Sequence, residues 1–168
     1  MEIVPATPAE AVALTDVHVS TWRQAYRDRA AEAWYHERLA AHAVRDWSEV
    51  LRSEVARGGG VLVARCDGQV AGFCQYGPTD DPDHDPEQVG QIRRLYVRPE
   101  RQRSGIGGSL LGASVDRLRE HGLDTATLWA LETDQRARDF YERHGWELDH
   151  GRTTQPPIDL RYRLQLSR

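Results

Sequence analysis

The chain has 168 residues, 39% of them apolar, with a formal net charge of −4 and an isoelectric point near 6.0. This length suits one domain with a real core, and the acidic balance argues against a general nucleic-acid binder, which is usually basic. Arginine carries the side-chain positive charge, because the sequence contains no lysine.

Cysteine usage and hydropathy favour the cytoplasm. Cys66 and Cys74 are the only two cysteines, and their spacing fits neither a C-x-x-C pair nor a zinc site. The N-terminal stretch lacks the basic start and apolar run of a signal peptide, and no segment approaches the roughly 20 apolar residues of a membrane span. We therefore expect a cytoplasmic protein without metal or membrane contacts.

The first 60 residues predict one strand followed by helices. Residues 2–6 (EIVPA) read as a short strand, and Thr7, Pro8 and Glu10 form the capping box of a helix that follows. Residues 30–60 contain one or two more helices, ended by glycines. The apolar face predicted for the first helix consists of Val12, Val19 and Trp22.

The middle of the chain predicts a hairpin and a third strand. Asp67-Gly68 separates two β-rich runs within residues 60–78, which is the strongest short hairpin signal. A polar loop spans residues 79–88, and residues 89–97 (VGQIRRLYV) form the next strand. Its apolar alternation slips between Ile92 and Leu95, which indicates a β-bulge near Arg93-Arg94.

A glycine-rich turn rich in arginine lies between that strand and a helix. Such a turn presents free N–H groups at the positive end of the helix dipole, which makes an anion site suited to phosphate. Arg98, Arg101 and Arg103 add positive charge. The alternative is a tight turn with a solvated arginine cluster. The P-loop and dinucleotide-binding motifs do not fit, because the residues they need after the glycines are absent.

The remaining elements complete a mixed sheet. A helix with Leu111, Val115 and Leu118 on one face ends at Gly122, a buried strand covers residues 125–131, and a short helix ends at Gly145. Two closing strands span residues 146–154 and 158–166. The alternation of strands and helices predicts one α/β domain over residues 1–168.

Two motifs in this order resemble the GCN5-related N-acetyltransferase (GNAT) family. Residues 102–107 (QRSGIG) resemble its Q/R-x-x-G-x-G/A motif, after a segment (LYVRPE) like its fourth strand. Residues 134–146 (DQRARDFYERHGW) resemble its later Asn-x-x-Ala-x-x-Phe-Tyr segment. The resemblance implies a mixed, mostly antiparallel sheet with helices on both faces and splayed central strands. It also implies acetyl transfer from acetyl-CoA to a primary amine of a small molecule, protein or peptide, by direct transfer in a ternary complex.

The resemblance also implies which residues bind the cofactor. The main chain of the fourth strand would pair with the pantetheine arm, the glycine turn would hold the pyrophosphate, and a bulge N–H would serve as an oxyanion donor. The predicted cofactor-binding residues are Leu95, Tyr96, Val97, Gln102, Arg103, Ser104, Gly105, Ile106, Gly107, Gly108, Asp134, Ala137 and Tyr141.

The catalytic prediction rests on Tyr141, which aligns with the family's tyrosine near the cofactor sulfur and could protonate the leaving thiolate. The alternative is that Phe140 and Tyr141 only pack the last helix. Asp134 stands where the family usually has asparagine, so its cofactor contact is open and it could serve only as a helix N-cap.

The acceptor side is less defined. Trp22, Tyr26 and Tyr76 are candidate pocket residues, and Gln91 takes the place of the family's glutamate base although an amide cannot act as a base. The loop acids could attract a cationic amine or simply be solvated, and a metal site at His84 lacks supporting spacing. The acids in that loop are Asp80, Asp81, Asp83, Asp85 and Glu87.

Two other readings of the function stay open at this point. The chain could be a non-catalytic acetyl-CoA sensor, or an interaction protein that kept only the fold. A long final strand predicts a homodimer, because an exposed edge strand readily pairs with a second chain. No nucleic acid or membrane partner is expected.

Overall fold

A computed structural model of the chain describes residues 1–29 and 31–166, which form a seven-stranded sheet with the order β1-β2-β3-β4-β5-β7-β6. Neighbouring strands are antiparallel except β4 and β5, which are parallel. The strands are β1 (Glu2–Pro5), β2 (Gly60–Cys66), β3 (Gln69–Pro78), β4 (Val89–Val97), β5 (Thr125–Leu131), β6 (Glu147–Arg152) and β7 (Asp159–Gln165). The α-helices are α1 (Ala11–Ala25), α2 (Ala33–Ala43), α3 (Trp47–Ala56), α4 (Ile106–Glu120) and α5 (Gln135–Arg143). The predicted fold class is confirmed.

Helices cover both faces of the sheet. On one face, Leu14 of α1 and Trp47 of α3 pack against Phe73 of β3 in a fully buried cluster. On the other face, Leu110 and Leu118 of α4 pack against β2 to β5. We call these the α1–α3 face and the α4 face. Residues 30–60, predicted to hold one or two helices, contain both α2 and α3.

The first helix begins as predicted but buries a different side. Glu10 accepts a hydrogen bond from the Thr7 main-chain N–H at 2.8 Å, which confirms the capping box. The prediction for Val12 was wrong, since its side chain is 74% exposed. Trp22 of the predicted face is buried, together with Leu14, Val17, His18 and Thr21, in a stripe that lies opposite Val12.

The hairpin and the bulge are confirmed. Asp67 and Gly68 both have positive φ, of 53° and 75°, as a two-residue hairpin turn requires. In the β3–β4 ladder Gln75 lies opposite Arg94, and the next β3 residue lies opposite Ile92. Arg93 is therefore the extra residue of a β-bulge.

The last strand is not an edge of the sheet. β7 pairs with β5 on one side and β6 on the other, so the edges are the short strands β1 and β6. The expectation of an exposed final strand was wrong, and the homodimer stays a prediction without that basis. In the part of the chain described, no helix has the length and apolar character needed to cross a bilayer.

Two stacked histidines, one from α1 and one from α2, are buried between these helices. The rings of His18 and His42 lie 3.9 Å apart between centroids, and no hydrogen-bond partner within the described residues reaches their ring nitrogens. Burial, followed by the charges of His42, Arg94 and Arg45, lowers the pKa of His18 to about 2. Burial, followed by the charges of Arg45, Arg94 and Arg38, lowers the pKa of His42 to about 4. Both rings are therefore neutral at physiological pH.

The histidine pair predicts a loss of stability in mild acid. A depressed folded-state pKa gives stability that is present above the unfolded value of 6.5 and lost as pH falls toward the folded values. With two histidines, the free energy of unfolding should fall by up to about 2.7 kcal/mol per pH unit between pH 6 and 4.5. Urea titrations followed by tryptophan fluorescence at pH 7.5, 6.0 and 5.0 measure this slope.

Two matched histidine substitutions test whether the buried histidine pair causes this pH dependence. His42→Gln should reduce the slope by about half, whereas His121→Gln, at the exposed C-terminal cap of α4, should leave it as in the wild type. Equal unfolding free energies at pH 7.5 and 5.0 would contradict the assignment.

Candidate active site

The two central strands part at one end and open a cleft. β4 and β5 pair only from Val89 to Ile92 and from Thr125 to Leu128. Beyond those residues the strands diverge around a cleft with a volume of about 1120 Å³, lined from both faces of the sheet. The predicted splayed strands are therefore present. The predicted site residues that line the cleft are Trp22, Tyr26, Leu95, Tyr96, Val97, Gln102, Arg103, Gly105, Gly107, Gly108, Asp134, Ala137 and Tyr141.

The main chain of β4 faces the cleft at alternate residues. The Arg98 N–H donates to a β3 carbonyl at 2.8 Å, so the groups of Leu95 and Val97 point away from β3 toward the gap. The Val97 carbonyl already accepts from the Gln102 amide at 3.1 Å and the Thr21 hydroxyl at 3.2 Å. The N–H and C=O of Leu95 and the N–H of Val97 remain for an extended ligand.

The glycine turn presents its N–H groups to the same cleft. Arg103 and Gly105 have positive φ, of 63° and 84°, and Gly105 is the N-cap of α4. The α4 hydrogen-bond ladder starts with the Ser109 N–H, which donates to the Gly105 carbonyl at 3.0 Å. The N–H groups of residues 106–108 precede that ladder and point out of the helix terminus, where an anion is favoured.

The three glycines of this turn differ in what an added side chain would meet. Gly105 needs its left-handed backbone, while a Cβ on Gly108 would lie 2.8 Å from His144 Nε2. A Cβ on Gly107 would meet only ordinary contacts, the nearest at 3.5 Å to the Phe140 ring. The fold therefore tolerates a Cβ at Gly107, and this residue lines the cleft.

Only one of the three predicted arginines faces the cleft. Arg98 Nε donates to a main-chain carbonyl of β3 at 2.8 Å, and Arg101 pairs with Asp67 at 3.2 Å. Arg103 lines the cleft, and Arg136 from α5 joins it there. The positive charge beside the glycine turn is therefore supplied by Arg103 and Arg136, and Arg143 of α5 also lines the cleft.

Gln102 ties the turn to α5, whereas two predicted neighbours point elsewhere. Its side-chain oxygen accepts from Arg136 at 2.7 Å. The Ser104 hydroxyl donates back to the Arg101 carbonyl at 2.6 Å, and Ile106 is buried in the core. The side chains of Ser104 and Ile106 do not line the cleft, so only their main chain is available to a ligand.

The Tyr141 phenol lies at the cleft. Its ring packs against Phe140 at 5.3 Å and Trp146 at 6.3 Å between centroids. Burial first, then the nearby Cys74 and Tyr96, raises the pKa of Tyr141 well above its usual range. The phenol therefore holds its proton at neutral pH, as a proton donor must, and its catalytic role stays a prediction.

Asp134 caps α5 and reaches across the cleft. One carboxylate oxygen accepts from the Ala137 N–H at 3.0 Å, and the other accepts from the Tyr26 hydroxyl at 3.2 Å. The Trp22 indole N–H donates to the Tyr96 hydroxyl at 3.1 Å on the same side. The N-cap prediction is confirmed, and Asp134 also connects α5 to the end of α1.

Two predicted acceptor-pocket residues do not reach the cleft. Tyr76 is buried on the α4 face in the cluster that includes Leu118, because β3 alternation turns it away from α1–α3. Gln91 is buried too: its amide donates to the Asp81 carboxylate at 3.4 Å, and its oxygen accepts from the Asp80 N–H at 3.4 Å. Both residues support the core or the 79–88 loop and do not line an acceptor pocket.

Three of the loop acids, Asp80, Asp81 and Asp83, are paired with arginines. Asp80 accepts from Arg93 Nε at 2.8 Å, and Asp83 accepts two hydrogen bonds from Arg161, each at 2.8 Å. These carboxylates are neutralised and none lines the cleft. The structure does not support attraction of a cationic amine by this loop.

Within residues 1–29 and 31–166, one cluster of acidic and histidine side chains has a spacing that suits a metal ion. Arg161 lies within this cluster. Donor atoms of Asp81, Asp83 and His84 lie within 4.8 Å of one another. The Arg161 guanidinium contacts both aspartates, at 3.4 and 2.8 Å, and supplies the positive charge there. The expectation of no metal stays a prediction.

Sequence reasoning missed the wall opposite the glycine turn. In α2, the i, i+4 spacing places Arg38 and His42 on one side, a signal that the sequence offers, and Arg45 follows two residues after the helix ends at Ala43. Arg94 reaches the same wall because the bulge turns consecutive arginines to the α1–α3 face. The missed residues of this wall that line the cleft are Arg38, His42, Arg45, Arg94 and Asp159.

Asp159 is a half-buried cleft carboxylate that accepts a hydrogen bond from Arg38. Of the three cleft carboxylates in the described chain, Asp28 is exposed at the rim and Asp134 is already bonded. Asp159 begins β7 and pairs with Arg38 at 3.4 Å. Burial raises the pKa of Asp159, against the opposing effect of Arg38. A carboxylate with a raised pKa suits proton acceptance.

Comparison with known proteins adds the family context. The model of the acetyltransferase (GNAT) family matches residues 16–146. A Mycobacterium tuberculosis protein named "Probable N-acetyltransferase Rv2775" is 30% identical over 155 residues, covering 91% of this chain and 83% of that protein. A mycothiol acetyltransferase from Acidimicrobium ferrooxidans is 36% identical over 94 residues, covering 54% of this chain and 29% of its own length.

Solved structures share the fold. The PaiA N-acetyltransferase from Thermoplasma acidophilum, in complex with coenzyme A, has a TM-score of 0.81, with 98% of each chain covered and 19% identity. YncA from Salmonella typhimurium, solved with acetyl-CoA, has a TM-score of 0.71, with 100% of this chain and 95% of that chain covered and 22% identity. At these identities the likeness shows the fold alone.

Proposed function

Since the chain belongs to the acetyltransferase (GNAT) family and is therefore an acyl-CoA-dependent N-acetyltransferase, we propose that it acetylates a primary amine of a small molecule, protein or peptide. Transfer is direct, within a ternary complex of acetyl-CoA and acceptor. The observation that carries this is the cleft between β4 and β5, with free N–H groups at one end and a titratable wall at the other. We take residues 1–168 as one acyltransferase domain acting in the cytoplasm.

The residues at the α4 face fit acetyl-CoA. The N–H groups of residues 103–108, with Arg103 and Arg136, would hold the pyrophosphate. Leu95 and the N–H of Val97 would pair with the pantetheine amides. Gly107 supports this fit, because nothing in the fold itself requires a missing side chain there. When bound, the cofactor supplies the acetyl group as an activated thioester.

Two side chains would handle the protons. Asp159 takes the proton of the incoming ammonium, through water, so that the amine attacks in its neutral form. Tyr141 gives its proton to the departing sulfur, and its raised pKa keeps that proton in place beforehand. Asp159 replaces the glutamate that Gln91 cannot supply.

No feature of the described residues favours a non-catalytic acetyl-CoA sensor. The cleft contains both a protonated phenol and a carboxylate, which cofactor storage alone does not require.

An amine panel with a tyrosine variant tests the proposal. Wild-type protein should release free CoA from acetyl-CoA in the presence of at least one amine, and Tyr141→Phe should lower kcat by roughly 10²-fold, the lower end for a positioned acid. The ring and its packing are kept, so affinity for acetyl-CoA by calorimetry should change little. Thiol release is measured with a colorimetric reagent.

Tyr76→Phe is the matched control, because Tyr76 lies on the α4 face outside the cleft. Its kcat should equal that of the wild type. Tight acetyl-CoA binding with no CoA release for any amine would support the sensor instead. An unchanged kcat in Tyr141→Phe, with chemistry rate-limiting, would leave Tyr141 a packing residue.

A further inference from the structure

In the described chain, two arginines of the wall opposite the glycine turn, Arg45 and Arg94, lack the carboxylate partners that their neighbours Arg38 and Arg93 have. Arg38 pairs with Asp159 at 3.4 Å and Arg93 pairs with Glu54 at 3.1 Å. Neither Arg45 nor Arg94 has a carboxylate within ion-pair distance among residues 1–29 and 31–166. Both line the cleft beside His42. The wall therefore has two uncompensated positive charges.

Arg94 is held in place by an uncharged partner. Its Nη1 donates to the Gln75 side-chain oxygen at 2.7 Å, and the Gln75 amide donates to Glu54 at 2.8 Å. Glu54 in turn pairs with Arg93 at 3.1 Å. The chain Glu54–Gln75–Arg94 fixes the guanidinium without neutralising it. Burial, and then the charge of Arg45, lowers the pKa of Arg94 to about 10, which still leaves it charged.

Arg45 carries an unsatisfied donor. Its Nε is buried and has no hydrogen-bond partner in the described chain. Burial lowers the pKa of this guanidinium as well. A buried charged N–H without an acceptor is costly, so the site is complete only when an external acceptor is supplied.

The neighbouring groups leave this positive charge in place. Buried His18 and His42 are neutral, and Asp159 is engaged with Arg38. Tyr96 is also buried, with a raised pKa, and contributes no negative charge. The wall therefore attracts an anion, the opposite of the cationic amine expected from the acidic loop.

We propose that the acceptor amine carries a compact anionic group, a carboxylate or a phosphate, that is bound by Arg45 and Arg94. This inference rests on the proposed acetyl transfer and names the substrate class of the same cleft. Guanidinium forks match both anions with paired hydrogen bonds. With the anion held on this wall, the amine of the same molecule is directed toward the divergence of β4 and β5.

The cofactor's own phosphates do not account for these arginines. Arg94 and Arg45 belong to the α1–α3 face, with Gln75, Glu54 and α2. The free N–H groups of the glycine turn lie at the start of α4, on the other face of the sheet. One cleft thus has two anion sites on opposite faces.

Matched acceptor pairs test the inference. Each amino acid is compared with its carboxamide, and O-phosphoethanolamine with ethanolamine, so that the members of a pair share the amine and differ in the anion. In the wild type, kcat/KM should favour the anionic member by on the order of 10²-fold in at least one pair. Arg94→Gln and Arg45→Gln should each reduce that preference by about tenfold or more, whereas Arg52→Gln, an exposed α3 arginine, should keep it. A preference in the phosphate pair alone identifies a phosphate, and one in the amino-acid pairs a carboxylate.

Binding of products gives a readout that does not depend on turnover. Calorimetry of N-acetyl amino acids, their amides and N-acetyl-O-phosphoethanolamine is carried out with protein saturated by CoA. The anionic probe should bind more tightly to the wild type and lose that advantage in Arg94→Gln. If no anionic probe exceeds its neutral partner in turnover or binding, the inference is overturned. If neutral amines turn over at the same rate as anionic ones, acetyl transfer is still supported, but the inference of an anionic acceptor is refuted.

Discussion

Replacing Gly107 with glutamate is expected to lower the affinity for acetyl-CoA by on the order of 10³-fold while the fold is retained. A carboxylate near the pyrophosphate, about 4 Å away, costs about 4 kcal/mol at a surface-like effective dielectric. The same charge at the second residue of α4 favours the helix, because a negative side chain stabilises a helix N-terminus. Cofactor affinity and stability should thus move in opposite directions, which calorimetry and urea titration measure separately.

Gly112→Glu is the control for this variant. It lies in the same helix, and a Cβ there meets nothing within 4 Å. Both substitutions remove one glycine from α4 and add one negative charge, but Gly112 does not line the cleft. Unaltered acetyl-CoA affinity in a folded Gly107→Glu protein would place the cofactor elsewhere.

Asp159→Asn is expected to lower kcat/KM for the best amine by about 10³-fold at neutral pH, within the range for a positioned base. The amide keeps the shape of the side chain but cannot take a proton. In the wild type, the rate should rise with pH as Asp159 loses its proton, at a pKa that burial raises above 3.8. In Asp159→Asn this rise of the rate with pH should disappear. The rate should then follow the fraction of neutral amine in solution. A pH–rate profile of both proteins measures this.

Arg38→Gln separates a catalytic from a structural role for Asp159. Removing the guanidinium breaks the same ion pair from the other side and raises the pKa of Asp159 further, because Arg38 lowers it. Its acidic limb should therefore shift to higher pH while the activity at pH 8 is largely kept. If Asp159→Asn and Arg38→Gln lose the same amount of activity and share one pH profile, Asp159 acts only through its ion pair with Arg38.

Local signals predicted most of the fold. The capping box at Thr7, the turn at Asp67-Gly68 and the slip in alternation near Arg93 are each determined by residues close in sequence, and each is confirmed. The position of β7 between β5 and β6 is not determined locally, because an antiparallel strand can join either edge. The exposed Val12 shows the same limit, since helical spacing gives a face without saying which neighbour covers it.

The candidate site also contains residues that local sequence predicts and residues that it does not. Contiguous motifs placed Gly105, Gly107 and Tyr141 at the cleft, because a turn or a short helix fixes their relative positions. The acceptor wall is assembled from α2, β4 and the start of β7, so Arg94 and Asp159 carry no signal of their proximity. Gln91 illustrates the opposite error: its position in the strand was right, but its side chain points to the 79–88 loop.

The placement of β7 inside the sheet bears on resistance to aggregation. The two exposed edges are poor templates for a foreign strand: β1 has four residues and ends at Pro5, and β6 is charged and irregularly paired around Gly151. The longer apolar alternation of β7, at Leu160, Tyr162 and Leu164, is covered on both sides. Local detachment of β6 would expose the unpaired edge of β7, so β6 protects this longer strand from pairing with another chain.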